Sequence, residues 1–109
     1  MTELIVTDYF RREAKPLAKK YRSLAKEIAE LFESLKEEPI QGDSLPLGCY
    51  KIRLAIESKG KGKRGGARVI TCFQTDDNDV YLLSIYDKSE QDDISDKELT
   101  KRLKALDLI

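Results

Sequence analysis

The hydrophobic pattern of this chain changes its period at Tyr50, and that change constrains the fold more than any other feature. Before it, apolar residues recur at helical spacing, at Phe10, Ala14, Leu17, Tyr21, Leu24, Ile28, Leu31 and Leu35. After it, apolar and polar residues alternate as in a strand, with Tyr50, Ile52, Leu54 and Ile56 on one face and Lys51, Arg53, Ala55 and Glu57 on the other. The pattern predicts a helical first half packed on a sheet.

The helical segment is consistent with one long bent helix or with two consecutive helices. Pro16 lacks a backbone donor, and Ser23 stands where an N-cap would start a second helix. We favour the second interpretation, a helical hairpin. The short apolar run 4–6 before it is typical of an edge strand, and Pro39, Gly42, Pro46 and Gly48 make 39–48 a loop.

The second half of the chain continues as a sheet and ends in a helix. Strands are predicted at 67–74 and 80–86, joined by the turn 76–79, and Ser95 with Glu98 forms a capping box for the last helix. We therefore expect one α+β domain over 1–109. It has an N-terminal helical hairpin packed on one face of a small, mainly antiparallel, twisted sheet of about four strands, and a short C-terminal helix.

The charge of the chain is focused in one segment. The sequence has 20 basic and 20 acidic residues, yet residues 51–68 hold seven cations and one carboxylate. Lys51 and Arg53 share a strand face, and an antiparallel register brings Arg68 within a few residues of Arg53. Such a patch on a neutral protein predicts a binding site for phosphate and for polyanions.

Other classes of protein do not fit the sequence. The chain lacks an apolar run long enough to span a membrane, and its acidic N-terminus is unlike a signal peptide, so we expect a cytoplasmic protein. Cys49 and Cys72 are expected to be reduced and at least half-buried. Without histidine or ligand-like cysteine spacing, no metal site or cofactor is expected. The glycine-lysine loop joins two strands and is not a Walker motif.

Several segments resemble the RelE/ParE superfamily of bacterial toxin-antitoxin toxins, on the RelE and HigB ribonuclease side. In order along the chain they are Cys49–Leu54, the basic loop, Ala67–Ile70, Val80–Tyr86 and Asp87–Glu90. The resemblance covers nearly the whole chain, including the helical hairpin. It implies the RelE fold, which is like that of microbial ribonucleases.

The resemblance also implies an activity and its partners. It implies an mRNA interferase that cleaves mRNA at the ribosomal A site, without a metal, by attack of the 2'-hydroxyl. Lys51 would act as base or polarise the hydroxyl, while Arg53 and Arg68 would hold the phosphate. A cognate antitoxin would form a hetero-oligomer with the toxin and either cover the cationic face or displace the last helix.

Further roles follow from the same resemblance. Tyr86 would stack on a base or donate a proton, and Lys88 would donate a proton or contact phosphate. The ribosomal RNA backbone would be contacted by Lys59, Lys61, Lys63 and Arg64. The sequence departs from the family pattern in one place, because Ile94 stands near the tyrosine expected beyond the catalytic cation.

Simpler interpretations of the same residues remain open. The basic loop is also consistent with a solvated hairpin tip, Tyr86 with a sheet-packing aromatic, and Lys88 with a solvated residue among acids. The alternative function within the superfamily is a ParE-like toxin that binds DNA gyrase and catalyses nothing. An RNA-binding module without toxicity is a third hypothesis.

Overall fold

A mixed five-stranded sheet forms the centre of the protein. Its computed structural model describes residues 2–60 and 62–109, with only the backbone of Lys63. The strands are β1 (Glu3–Val6), β2 (Asp43–Ser44), β3 (Cys49–Leu54), β4 (Ala67–Gln74) and β5 (Asp79–Asp87), in the spatial order β1-β5-β4-β3-β2. β1 pairs in parallel with β5, and the other pairings are antiparallel. The mainly antiparallel α+β fold is therefore confirmed.

The predicted helical hairpin is also confirmed. α1 (Asp8–Lys20) and α2 (Leu24–Glu37) are separate helices, and Ser23 is the N-cap residue of α2. Pro16 lies inside α1 and does not end it. At the start of α1, the Thr7 hydroxyl accepts a hydrogen bond from the Phe10 amide and donates one to the Leu82 carbonyl in β5. This cap links the start of the hairpin to β5, an interior strand of the sheet.

The two faces of the sheet carry separate apolar clusters. Residues of α1 and α2 pack with Val69 and Leu82 on one face. On the other face, Leu99 and Leu103 of α4 (Asp96–Ala105) pack with Ile70 and neighbouring apolar residues. The hairpin therefore packs on one face, as predicted, and α4 covers the other face, because successive residues of a strand point to opposite faces and β4 carries apolar residues on both. Ser95 is the N-cap of α4, as predicted, and its hydroxyl accepts from the Glu98 amide, while the Glu98 carboxylate accepts from Arg102.

The sheet has one strand more than expected because β2 lies within the predicted loop 39–48. Two polar residues give no periodic signal, so the sequence could not reveal this strand. Asp43 and Ser44 pair with Lys51 and Tyr50. Gly42, at φ 90°, allows the close approach, since a Cβ there would lie 2.2 Å from the Lys51 carbonyl oxygen.

Two further expectations concern the cysteines and membranes. Cys49 and Cys72 occupy opposite positions on β3 and β4, and both are buried free thiols, as predicted. Within the residues that the structure describes, no helix combines the length and the apolar character needed to cross a bilayer.

Candidate functional site

A row of predicted site residues crosses three strands at one end of the sheet. In the β3–β4 pairing Arg53 lies opposite Arg68, and in the β4–β5 pairing Arg68 lies opposite Tyr86. Opposed residues of antiparallel strands project from the same face, with Cβ atoms about 4.5–5.5 Å apart. Lys51 lies two residues before Arg53 and therefore shares that face. The register brings these four residues together more closely than the sequence had predicted.

The two arginines of the row have different surroundings. Arg53 is exposed. Arg68 is only 6% exposed, and its guanidinium donates hydrogen bonds to the carbonyls of Ala67 and Arg64, each at 3.1 Å. Arg64 belongs to α3 (Gly62–Gly65), the single helical turn within the basic loop. Arg68 is thus a fixed, buried charge, whereas Arg53 can reach a ligand.

Lys51 and Tyr86 share a carboxylate from a neighbouring loop. The Lys51 ammonium lies 3.4 Å from Oδ2 of Asp93, and the Tyr86 hydroxyl donates to Oδ1 of the same residue at 3.5 Å. Burial raises the pKa of Tyr86 to about 12, and the nearby Asp93 carboxylate adds to the rise while Arg68 opposes it. At neutral pH Tyr86 is therefore a hydrogen-bond donor and cannot act as a base.

Lys88 sits beside the row because β5 ends next to the basic loop. Its amide donates to the carbonyl of Gly66 at 3.0 Å, and its ammonium lies 3.2 Å from Asp92. Gly66 also lets the loop lie close to the end of β3, because a Cβ there would lie 2.2 Å from the Leu54 carbonyl oxygen. The backbone contact joins the end of β5 to the loop that supplies the remaining cations.

Lys59 has a structural contact that the sequence did not reveal. Its side chain is 9% exposed, and its ammonium forms an ion pair with the buried carboxylate of Asp87, which also accepts hydrogen bonds from Tyr21 and Ser89. Burial alone would raise the pKa of Asp87, but the hydrogen bonds from Lys59, Tyr21 and Ser89 outweigh it and hold that pKa well below its ordinary value. The ammonium of Lys59 is thus engaged inside the protein, and the predicted contact of Lys59 with RNA would have to compete with this ion pair.

The other predicted RNA contacts are placed only in part. Arg64 is exposed beside the row. Lys61 lies outside the described residues, as does the side chain of Lys63. An open cleft along the outer edge of β3 borders Lys51 and Arg53, but Glu27, Glu30 and Glu57 line it as well. These carboxylates would repel a phosphate group along this cleft.

Sequence reasoning placed acids around Lys88, but it did not predict that Asp87 pairs with Lys59 or that Asp93 contacts Lys51 and Tyr86. Only their charge pointed to them, since the acidic segment 87–93 complements the basic segment 51–68. Their pairing with particular cations depends on the path of the loop after β5. Spacing along the chain does not encode that path.

Two solved toxins have folds similar to this one. In the RelBE2 toxin-antitoxin complex from Mycobacterium tuberculosis, the matched chain is 20% identical, with 78% of this chain and 95% of that chain covered and a TM-score of 0.54. A mutant E. coli toxin RelE in the free state is 19% identical, with 95% of this chain and 96% of that chain covered and a TM-score of 0.56. At this level of identity the likeness establishes the fold alone.

The family is shown by the sequence itself. Residues 4–107 match the family described as the RelE toxin of the RelE/RelB toxin-antitoxin system. The chain therefore belongs to the RelE toxin family, and the predicted resemblance is confirmed.

Proposed function

We propose that this RelE-family toxin is an endoribonuclease that cleaves mRNA in the ribosomal A site by metal-independent attack of a 2'-hydroxyl. The observation that carries the proposal is the row in which Arg53 lies opposite Arg68 and Arg68 lies opposite Tyr86. Lys51 lies on the same face of the sheet. Like charges on directly opposed strand positions are destabilising, and a bound phosphate would offset that cost. The row supplies a place for one phosphodiester group.

The reaction needs three functions at that place. The 2'-hydroxyl loses a proton and attacks the adjacent phosphorus, negative charge develops on the phosphorane, and the 5'-oxygen leaves with a proton. The products are a 2',3'-cyclic phosphate and a new 5'-hydroxyl. Lysine, arginine and tyrosine side chains can supply each function without histidine or metal.

We assign the functions by position and exposure. Lys51 polarises or deprotonates the 2'-hydroxyl, and exposed Arg53 binds the phosphate directly. Arg68 supplies a fixed positive charge behind the phosphate, since its orientation is set by two backbone carbonyls.

The proton donor belongs at the β5 end of the row. Tyr86 remains protonated at neutral pH and can donate a hydrogen bond or a proton. Lys88, two residues beyond Tyr86, contacts phosphate or donates the proton. Exposed Arg64, together with Lys61 and Lys63, extends the contact to the RNA backbone.

The partners follow from this activity. The substrate is mRNA on the ribosome, which places the toxin in the cytoplasm. The fold resembles that of a chain in a solved toxin-antitoxin complex, which supports a cognate antitoxin as the second partner of this chain in a hetero-oligomer. An antitoxin that covers the row would block RNA directly.

The proposal is tested by mapping new 5' ends on ribosome-bound mRNA after incubation with the purified toxin. The expected result is cleavage within the A-site codon that disappears when the attacking nucleotide carries 2'-deoxyribose. Lys51→Ala should reduce cleavage by at least about a hundredfold, a typical cost of losing one transition-state contact. Lys26→Ala, an exposed lysine on α2, is the matched control and should cleave normally.

Expression of the toxin in bacterial cells separates this function from gyrase binding. If expression arrests replication while mRNA stays intact, the nuclease proposal is wrong and the ParE-like alternative holds. If the protein binds RNA without cleaving it or arresting growth, it is an RNA-binding module.

A further inference from the structure

Two adjacent carboxylates contact three of the five residues proposed to act in catalysis, pairing with two lysines and accepting from one tyrosine. Asp93 contacts Lys51 at 3.4 Å and Tyr86 at 3.5 Å, and Asp92 contacts Lys88 at 3.2 Å. The three proposed site residues come from two different strands and the segment after β5. Their convergence on one dipeptide places negative charge where the proposed reaction places a phosphate.

The segment that carries these carboxylates is held by other contacts. Ile94 is buried in the cluster under α4, and Ser95 caps that helix. The Gln91 side chain also donates to the Asp93 carbonyl at 2.9 Å. The path of the loop therefore does not depend on the ion pair between Asp93 and Lys51.

The Asp93 carboxylate makes one short contact and two long ones. Its Oδ1 accepts from the Ile94 amide at 2.9 Å, whereas the carboxylate lies 3.4 Å from the Lys51 ammonium and 3.5 Å from the Tyr86 hydroxyl. Charge-assisted hydrogen bonds are typically about 2.7–2.9 Å long, so the contacts with Lys51 and Tyr86 are loose. The Asp93 side chain is also 56% exposed. An RNA phosphate would therefore have to replace only the two loose contacts.

A phosphate group could use the same two donors. A carboxylate and a phosphodiester each present two oxygens that share one negative charge, and both accept from an ammonium and a phenol. The two anions cannot both occupy the space between Lys51 and Tyr86.

We propose that Asp93 is an internal competitor for the RNA phosphate, an autoinhibitory contact that RNA must displace to bind Lys51 and Tyr86. The inference rests on the proposed function for its ligand, RNA, but not on cleavage. Asp93 lowers the affinity of the free toxin for RNA because every binding event must first break its contacts. The loop position of Asp93 allows this displacement without unfolding of the sheet.

The test measures binding of a fluorescein-labelled 2'-O-methyl RNA oligonucleotide, which cannot be cleaved by 2'-hydroxyl attack, by fluorescence anisotropy at low salt. Asp93→Asn should tighten binding by about two- to fivefold, the range expected for one partly exposed ion pair. Asn keeps the oxygen that accepts from the Ile94 amide. Circular dichroism and thermal unfolding check that the variant remains folded.

Two further variants make the result specific. Asp96→Asn changes the net charge equally at an exposed position on α4, so it should tighten binding less. In the Lys51→Ala background, Asp93→Asn should have no more effect than Asp96→Asn, because the cation that Asp93 neutralises is gone.

The outcomes separate the two proposals. Suppose that the wild type binds the oligonucleotide but that Asp93→Asn binds it no more tightly than Asp96→Asn does. The proposal that Asp93 competes with RNA is then wrong, although RNA binding itself is supported. If Asp93→Asn tightens binding equally with and without Lys51, Asp93 acts only through long-range charge and the contact is not autoinhibitory. If no variant binds the oligonucleotide, the proposed competition is wrong, whereas the proposed function stands or falls with the cleavage of ribosome-bound mRNA.

Discussion

Arg53 and Arg68 occupy directly opposite positions on β3 and β4, yet one is exposed and the other is 6% exposed. The difference predicts that their substitutions affect folding unequally. Arg53→Ala removes a like-charge neighbour and should change the free energy of unfolding by no more than about 0.5 kcal/mol. Arg68→Ala removes two hydrogen bonds to backbone carbonyls and should cost about 2 kcal/mol.

Urea denaturation of the two variants measures this contrast. Equal stabilities of Arg53→Ala and Arg68→Ala would show that the buried guanidinium contacts contribute nothing to folding. The contrast also guides interpretation of activity, because loss of cleavage in Arg68→Ala can reflect a disturbed loop, whereas loss in Arg53→Ala reflects the site.

The Lys59–Asp87 pair predicts a pH dependence of stability. The pKa of Asp87 is lowered in the folded protein, so its contribution is present above the unfolded value of about 3.9 and is lost as pH falls from there toward the folded pKa. At pH 7, Asp87→Asn should destabilise the protein by about 3 kcal/mol, because it leaves the Lys59 ammonium buried without a counter-charge. The difference from the wild type should shrink between about pH 4 and pH 2.

The matched control for Asp87→Asn is Asp8→Asn, which removes one carboxylate from an exposed ion pair with Arg11. It should cost less than about 1 kcal/mol. Unfolding free energies from urea titrations across this pH range provide the measurement. A constant difference between the wild type and Asp87→Asn would contradict the lowered pKa.

Arg102 is predicted to hold α4 against the sheet and α1. Its guanidinium makes a bidentate contact with Glu13 at 2.9 and 3.0 Å, and it donates to Glu98 and to the Leu83 carbonyl. Arg102→Met keeps the length of the side chain but removes every donor, so it should lower stability by about 2 kcal/mol. Faster amide hydrogen exchange in α4 than in β4 would show that the loss is local.

The control for this prediction is Arg11→Met, which removes an exposed contact within α1. It should leave both stability and exchange nearly unchanged. Unaltered exchange in α4 of Arg102→Met would mean that the apolar contacts of Leu99 and Leu103 suffice to hold the helix.

The sequence predicted the parts of the fold that have a periodic signal. The alternation after Tyr50 identified β3, and the Ser95–Glu98 pair located the start of α4. Helical spacing identified the helical segment, and Ser23 marked the start of its second helix. β2 has only two polar residues and was missed. The parallel pairing of β1 with β5 depends on the return of the chain from the hairpin, which local patterns do not encode.

The candidate site was predictable to a similar extent. Lys51, Arg53 and Arg68 could be placed on one face because strand alternation is regular. The burial of Lys59 and the contact of Asp93 with Lys51 depend on two loops that meet only in the folded protein. Charge complementarity between segments was visible in the sequence, but the choice of partners was not.

The most direct test of the proposed site is the single-turnover cleavage rate of ribosome-bound mRNA, measured for the wild type, Arg53→Ala and Lys26→Ala. Because Arg53 is exposed and contributes little to folding, its loss should lower the rate by about a hundredfold or more through lost phosphate stabilisation. The Lys26 control should match the wild type. A rate for Arg53→Ala equal to that of the wild type, or no cleavage by the folded wild type, would contradict the account.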